Sequence, residues 1–329
     1  MSRNAAMPAD LDAETRGLLE QAAATAGDVQ PVHDIAVQRV TSRDVFLSME
    51  GDDKTAASIR QFDIPARGGP VPVRLYAPTQ GTGNSLPLVV FLHGGGWSVG
   101  DLDCYDGLCA DLSAQAGVNM LSVGYRLSPE TRFPGALEDC LDAMRWACAA
   151  TRALNADPDR IALMGDSAGG NLAAVAAAEL ARDERPPLVA QFLIYPMLDI
   201  GSPHTAYASR NDFGNGEFLL SRQNIDDAIN WYVTPGCDLS DPLLSPTNMS
   251  DLSRLPTTYL LSARYDPLFD ESRSYARKLE AKGKLASHRV YPSIHAFVSF
   301  GAWAIAQKAR RDLACDIRAA FGMPDSAST

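Results

Sequence analysis

Short apolar runs of strand length recur from residue 87 to residue 292, and helical patterns lie between most of them. The apolar runs are PLVVFL (87–92), NMLSVGY (119–125), RIALMG (160–165), VAQFLIY (189–195), TTYLLSA (257–263) and SHRVYP (287–292). The helical patterns lie at about 105–117, 134–152, 168–183, 271–283 and 302–321. Strands that alternate with helices predict βαβ units, and the continuous apolar character of PLVVFL is typical of a strand covered on both faces. The sequence therefore predicts an α/β fold with a mostly parallel, doubly wound sheet.

Two parts of the chain lie outside this alternation. Residues 1–50 carry helical patterns at 9–25 and from Val32 to Met49, and a hairpin signal of two alternating segments about the turn RGGP (67–70) follows them. Residues 199–256 contain no good strand pattern and are much longer than a normal crossover loop. We therefore predict three parts: an N-terminal helical cap segment at 1–50, a catalytic core at 51–198 and 257–329, and a cap or lid insertion at 199–256 over the carboxyl edge of the sheet.

The bulk composition excludes several functions. A net charge of −11 argues against nucleic-acid binding, which needs a basic surface. The six cysteines form no CxxC pair, and their spacing matches neither a zinc site nor a disulfide scaffold. The N-terminal segment lacks the apolar core of a signal peptide, and no stretch approaches the ~18 apolar residues of a membrane span. We therefore expect a protein of the reducing cytoplasm that has no integral membrane contact.

Three glycines follow the first central strand in the segment HGGGW, from His93 to Trp97. In an open α/β sheet, ligands bind at the carboxyl ends of the strands, and a run of glycines lets backbone N–H groups converge on one point there. A dinucleotide loop is the alternative interpretation, but its spacing would need a third glycine where Val99 stands. We therefore expect a loop whose backbone donors meet at one point, and not a nucleotide site.

The segment GDSAG, from Gly165 to Gly169, matches the pattern G-x-S-x-G between a predicted strand and a predicted helix. This context is that of a nucleophile elbow, where small neighbours allow a sharp turn that exposes the serine hydroxyl. Ala168 opens the helix, so its backbone N–H has no acceptor within the helix and points toward the site. An ordinary small-residue turn is the alternative, and the remaining loops argue against it. Ser167 is therefore the predicted nucleophile.

A serine nucleophile needs a base and an orienting acid. Of the five histidines, one precedes the sheet, one lies in the insertion, one belongs to the glycine loop and one starts a strand, which leaves His295 after the last strand as the base. Asp266 follows the preceding strand and is the predicted acid. Asp270 and Glu271 are near alternatives, but a helix N-terminus explains both carboxylates. The chain order Ser167, Asp266, His295 is that of the α/β hydrolases.

Several motifs occur together in the order typical of one esterase family. They are HGGGW and GDLD, YRLSPE (125–130), GDSAGGNLAA, YP (195–196), DPLFDE and a late HAF. On these motifs the chain resembles the bacterial hormone-sensitive-lipase family over roughly residues 60–322. The resemblance implies an eight-stranded α/β-hydrolase sheet, a lid made from both extra segments, and carboxylic-ester substrates. It also implies an oxyanion hole from the N–H groups of Gly95, Gly96 and Ala168, with Gly94 supporting the loop.

Two positions depart from the usual motifs of that family. Ala296 stands where H-G-F is common, and Thr131 stands where P-E-H is common. Neither change removes a catalytic group, but either one could alter how a substrate fits.

The expected reaction is acyl transfer to water, with His295 taking the proton of Ser167 and Asp266 fixing the imidazole tautomer. It requires no metal and no organic cofactor. The resemblance favours short- to medium-chain acyl esters as substrates. An amidase or arylformamidase would share the whole apparatus and stays an alternative, as does a non-catalytic receptor-like module, although such modules usually lose the histidine. The expected partners are the ester substrate and, through the edge strand near 287–292, a second copy of the chain in a homodimer.

Supporting and substrate-contacting residues can also be predicted. His93 is expected to anchor the glycine loop through a hydrogen bond and not to act as a second base. Trp97 is expected either to form a wall of the pocket or to pack the loop. For Phe213, Phe218 and Leu219, packing within the lid and lining of the acyl pocket are both open, and all three are candidates for substrate binding.

Overall fold

The computed structural model describes residues 7–25, 34–50, 57–79, 85–182 and 188–324. The helix start predicted at Val32 and the first histidine, His33, lie outside the described residues. Eight strands form one sheet. They are β1 (Ala57–Ile64), β2 (Val71–Pro78), β3 (Leu86–Leu92), β4 (Asn119–Val123), β5 (Ala156–Asp166), β6 (Ala190–Ile194), β7 (Thr257–Ala263) and β8 (Leu285–Tyr291).

The strands lie in the order β1-β2-β4-β3-β5-β6-β7-β8. β2 runs antiparallel to β1 and to β4, and the pairing of Ile64 with Val71 closes the predicted hairpin. Every other neighbouring pair is parallel. The mostly parallel, eight-stranded α/β sheet is therefore confirmed. Its parallel strands place their carboxyl ends at one common edge, which is where a site on this fold is expected.

The described residues contain nine α-helices. They are α1 (Ala13–Thr25), α2 (Ile35–Met49), α3 (Asp106–Ala116), α4 (Gly135–Ala149), α5 (Ser167–Leu180), α6 (Ala208–Phe213), α7 (Arg222–Tyr232), α8 (Phe269–Ala281) and α9 (Ala304–Ala320). None of these helices is long and apolar enough to cross a membrane.

Alternate side chains of β3 show why both faces of the sheet are covered. Leu88, Val90 and Leu92 pack into the apolar cluster that includes α4, α5 and α8. Val89 and Phe91 point the other way, into the cluster that includes α3 and α9. All five side chains are fully buried. A strand with two buried faces reads as an unbroken apolar run, which is the pattern that the sequence shows.

The two segments outside the alternation lie near the edge of the sheet that carries the glycine loop. Helix α1 is tied to the chain after β8, because the N–H of Asp12 donates to Pro292 O at 2.9 Å. Helix α2 buries no residue. Residues 199–256, all of them described, carry α6 and α7 and no strand. Both α2 and α7 contribute residues to the cavity described below.

Strand β8 lies at the end of the sheet and pairs with β7. An edge strand presents unpaired backbone groups to a further strand. A homodimer through this edge stays a prediction.

Candidate active site

Ser167 lies at the turn where β5 ends and α5 begins. Its φ of 53° is in the left-handed region, which is uncommon for a residue that has a side chain and is typical of functional turns. The turn is tight because its glycines touch neighbouring backbone. A Cβ at Gly165 would lie 2.2 Å from Gly169 O, and a Cβ at Gly169 would lie 2.0 Å from Leu92 O. The small residues of GDSAG are therefore required by the packing around the serine.

Asp266 follows β7 and His295 follows β8, so the parallel sheet brings both to the edge where Ser167 lies. His295 Nδ1 is 2.7 Å from Asp266 Oδ2, and His295 Nε2 is 2.8 Å from Ser167 Oγ. The second carboxylate oxygen, Asp266 Oδ1, accepts the N–H of Leu268 at 2.8 Å. Since a buried carboxylate can only accept, Nδ1 carries the proton and Nε2 is left to accept the serine hydroxyl.

The two alternative acids have other partners. Asp270 Oδ2 accepts the N–H of Ser209 at 2.9 Å. Glu271 forms a buried ion pair with Arg210 and accepts the N–H of Leu198 at 2.7 Å. Burial raises the pKa of Glu271 to about 7 in spite of that arginine. Neither carboxylate is hydrogen-bonded to a histidine, so the geometry favours Asp266 as the partner of the base.

The glycine loop after β3 is held from several sides. His93 Nδ1 donates to Gly94 O at 2.8 Å, and Tyr125 donates its hydroxyl to His93 O at 2.7 Å while its ring stacks on the imidazole at 4.3 Å. Burial lowers the pKa of His93 to about 4, so its ring is neutral at pH 7. The hydrogen bond is the one expected of an anchor for the loop. Gly95 and Gly96 have φ values of 113° and 57°, which glycine adopts without steric cost.

Three backbone groups are candidates for the oxyanion hole. Gly95, Gly96 and Ala168 all line the same cavity as Ser167 and His295. Ala168 is the second residue of α5, and the first N–H groups of a helix have no acceptor within it. A developing negative charge at this position is therefore met by backbone donors and by the positive end of the helix.

The cavity at Ser167 has a volume of about 300 Å³. Its walls come from α2, the glycine loop, the start of α5, the segment around α7 and the loop after β8. The residues with large apolar side chains are Val45, Phe46, Trp97, Val99, Met197, Leu219, Leu220, Ile225, Trp231 and Phe300, and the polar ones include Gln38, Thr41, Ser42, Tyr105 and Asn224. Among the described lining residues, the acidic and basic side chains are those of Asp166 and His295. The walls therefore favour an uncharged ligand.

Trp97 and Leu219 both line this cavity. Trp97 is also fully buried and stacks on Tyr232 of α7 at 4.4 Å, so it packs the loop and forms a wall at once. Leu219 has a φ of 71° and remains 42% exposed. Its side chain is therefore held out from the core of the insertion.

Phe213 and Phe218, the other two candidates for substrate binding, lie in an aromatic cluster. Their rings contact each other at 5.2 Å and lie 5.6 and 6.2 Å from the ring of Tyr265. Neither residue is among the described residues that line the cavity. They pack the insertion against the residue that precedes Asp266, because aromatic rings of this size gain most when they are buried against one another.

Some lining residues were missed by sequence reasoning. Ile225, Ala228 and Trp231 of α7 face the cavity, and their spacing of three residues along an amphipathic helix was the available signal. Phe46 of α2 also lines the cavity, although α2 is 118 residues or more from the serine in the chain. Asp166 also lines the cavity, and its variable position in G-x-S-x-G carries no signal of its own.

Comparison with known proteins gives a family. The model of a family described as alpha/beta hydrolase fold matches residues 89–299. The carboxylic ester hydrolase LipN of Mycobacterium tuberculosis is 39% identical over 274 residues, which span 81% of this chain and 71% of that protein. The ethyl acetate hydrolase of Pseudomonas putida is 37% identical over 295 residues, which span 86% of this chain and 90% of that protein.

Solved structures agree with this family. An esterase from the archaeon Pyrobaculum calidifontis superposes with a TM-score of 0.86 at 34% identity, over 94% of this chain and 98% of that chain. The alpha/beta hydrolase LAE6 from the metagenome of Lake Arreo superposes with a TM-score of 0.90 at 32% identity, over 96% of this chain and 100% of that chain. The resemblance drawn from the motifs is confirmed. The chain belongs to the α/β-hydrolase family and, within it, to the esterases that resemble hormone-sensitive lipase.

Proposed function

We propose that this protein is a carboxylesterase that hydrolyses small, uncharged carboxylic esters through an acyl-enzyme on Ser167. The observation that carries the proposal is the hydrogen-bond chain from Asp266 through His295 to Ser167, with distances of 2.7 and 2.8 Å. A serine hydroxyl beside an imidazole that a buried acid orients is the arrangement that activates the hydroxyl for attack.

In the first half of the reaction, Ser167 Oγ attacks the ester carbonyl carbon while its proton passes to His295 Nε2. The carbonyl electron pair moves onto oxygen, where the N–H groups of Gly95, Gly96 and Ala168 stabilise the charge. One such donor typically contributes a factor of about 10²–10³ to turnover. The tetrahedral intermediate collapses, the alcohol leaves with the proton from Nε2, and an acyl-serine remains.

In the second half, water takes the place of the alcohol. His295 removes a proton from the water, whose oxygen attacks the acyl carbon, and the same donors hold the oxyanion. Collapse of this intermediate returns the proton to Ser167 Oγ and releases the carboxylic acid. Asp266 keeps Nδ1 protonated throughout and stabilises the imidazolium that forms twice in each turnover.

The cavity supports a limit on substrate size. A volume of about 300 Å³ lies at the lower end of the range for small-molecule pockets, about 300–1,000 Å³. Its mostly apolar walls match short acyl groups. Residues from α2 and α7 complete these walls, which supports residues 1–50 and 199–256 as the cap over the core. Relatives named carboxylic ester hydrolase, ethyl acetate hydrolase and arylesterase also support ester substrates.

A cytoplasmic location is part of the proposal. The six cysteines are unpaired, and free thiols are stable in a reducing compartment.

The test uses an alkyl fluorophosphonate: an activated serine oxygen attacks its phosphorus, and fluoride leaves. We expect one adduct per chain on Ser167 and none on Ser167→Ala, as measured by intact-protein mass. Absence of the adduct on folded parent protein would overturn the assignment of the nucleophile. A series of 4-nitrophenyl esters from acetate to octanoate, with the matched anilides beside them, measures acyl-length preference and separates an esterase from an amidase.

A further inference from the structure

Asp166 is a buried carboxylate that the mechanism above does not use. It is 1% exposed and is the last residue of β5, directly before Ser167 in the chain. Its oxygens have separate partners. Oδ1 accepts the N–H of Gly94 at 2.6 Å, and Oδ2 accepts the hydroxyl of Tyr105 at 3.1 Å. The carboxylate thus joins the turn after β5 to the loop after β3.

The glycine loop lies directly against this carboxylate. A Cβ at Gly94 would be 2.5 Å from Asp166 Oδ2 and 3.0 Å from the main-chain O of Asp166. Only a residue without a side chain allows the loop to approach so closely. The next two residues, Gly95 and Gly96, have no side chains with which to fix their own positions. Glycine has the largest backbone freedom to lose on ordering, so an external hydrogen bond at Gly94 restricts the loop where restriction is most needed.

Tyr105 fixes the other oxygen of the carboxylate. Its side chain is fully buried, and its ring lies 5.5 Å from Phe91 and 5.6 Å from His93. The hydroxyl therefore approaches Asp166 from a rigid part of the core.

The position of Asp166 has an electrostatic cost. Burial raises the pKa of this carboxyl group to about 7, and its cavity is the one in which the oxyanion forms. A negative charge there opposes a second negative charge. A side chain without polar atoms would avoid this repulsion but would lose the hydrogen bonds to Gly94 and Tyr105. The two hydrogen bonds are the compensation that the geometry offers.

We infer that Asp166 is a positioning residue that ties the glycine loop to the turn at Ser167. It thereby keeps the N–H groups of Gly95 and Gly96 directed at the carbonyl oxygen of the ester that Ser167 attacks. This inference rests on the proposed ester hydrolysis. It assigns to Asp166 no proton transfer and no contact with the substrate.

The experiment compares Asp166→Ala with Asp166→Asn. Asparagine keeps an oxygen that can accept from Gly94, and its NH₂ group can donate to the hydroxyl of Tyr105, which can also accept. Alanine removes the tie. Active sites are counted by phosphonate titration so that only folded, competent protein is compared. We expect kcat of Asp166→Ala to fall about 10²–10³-fold with KM within threefold, and kcat of Asp166→Asn to stay within about tenfold of the parent.

Asp139→Asn is the matched control, because Asp139 is another fully buried carboxylate and bonds to Arg126 away from the site. This variant should keep kcat within threefold. A kcat within threefold for Asp166→Ala, or a loss confined to KM, overturns the inference. If the parent enzyme hydrolyses no ester, the proposed function fails instead.

Tyr105→Phe carries the test if Asp166→Ala does not fold. Loss of the hydroxyl should raise amide hydrogen exchange across residues 94–99 and lower kcat about three- to tenfold. If neither exchange nor kcat changes, the tie has no role in positioning.

Discussion

Replacement of Asp266 by asparagine exchanges one carboxylate oxygen for an NH₂ group and should lower turnover severely, because it changes the tautomer of His295. The N–H of Leu268 donates to Asp266 Oδ1 at 2.8 Å. The new amide must keep its oxygen at that position, because an NH₂ group there would face another donor. The NH₂ group then faces His295 Nδ1, which lies 2.7 Å from the present Oδ2. Nδ1 can meet it only as an acceptor, so the ring proton moves to Nε2.

A proton on Nε2 leaves His295 unable to accept the hydrogen of Ser167, whose Oγ lies 2.8 Å away. The negative charge that stabilises the imidazolium is also lost, in a site where the acid is only 1% exposed and water screens little. Such a change typically lowers kcat about 10⁴-fold, which corresponds to about 5.4 kcal/mol at 1.36 kcal/mol for each factor of ten. Stability should change little, since the amide still accepts from Leu268.

The assay is steady-state hydrolysis of 4-nitrophenyl acetate, with thermal unfolding measured on the same samples. Asp270→Asn is the control. Asp270 bonds to Ser209 N and pairs with Arg273, which is 51% exposed, so this change should keep kcat within about threefold. If Asp266→Asn keeps more than a tenth of the parent kcat, or if Asp270→Asn shows the larger loss, the assignment of the acid and the tautomer argument are wrong.

Three further predictions follow from the site. Gly95→Ala should lower kcat at least about 10²-fold without loss of secondary structure, because φ is 113° and the new Cβ would meet Val99 O at 2.1 Å; a parent-like kcat from the same ester assay would contradict this. Ala296 lines the cavity, so Ala296→Gly removes a methyl group from the wall and should raise kcat/KM for hexanoate relative to acetate. Because φ of Ala296 is 66°, which glycine adopts readily, the free energy of unfolding in urea should change by less than about 1 kcal/mol. The pKa of Asp166 is raised to about 7 in the folded protein, against about 3.8 in the unfolded chain. As pH rises, the carboxyl group therefore loses its proton in the unfolded chain before it does so in the folded protein. The free energy of unfolding consequently falls between about pH 4 and pH 7. Asp166→Asn removes this pH dependence. Urea unfolding should show that the free energy of unfolding of the parent falls by up to about 4 kcal/mol relative to the variant between about pH 4 and pH 7, and no further above pH 7. Curves of unfolding free energy against pH that run parallel for parent and variant would contradict the raised pKa.

Periodicity and motif order were enough to predict the sheet and the three residues of the hydrogen-bond chain. The apolar runs are continuous because both faces of β3 and its neighbours are buried, and that property is visible without coordinates. Ser167, Asp266 and His295 each follow a predicted strand. Because the carboxyl ends of parallel strands share one edge of the sheet, the sequence predicts that these three residues lie close together.

The walls of the cavity could not be predicted in the same way. An aromatic residue in an insertion packs against whichever surface the insertion meets, and Phe213 and Phe218 meet Tyr265 rather than the substrate site. Helix α2 buries no residue, and its sequence did not predict that Phe46 lines the cavity. Such contacts depend on how segments without strands fold back over the sheet, and a local pattern does not contain that information.

The sequence by itself determined the fold, the family and the chain order of the proposed nucleophile, acid and base. The physical causes of these patterns are local: burial on both faces, a tight turn and a loop without side chains. The tertiary structure decided which carboxylate the histidine meets, which tautomer it holds, and the volume and lining of the cavity. It also joins Asp166 to Gly94, 72 residues earlier in the chain. These are matters of distance between segments, and only the packed sheet sets those distances.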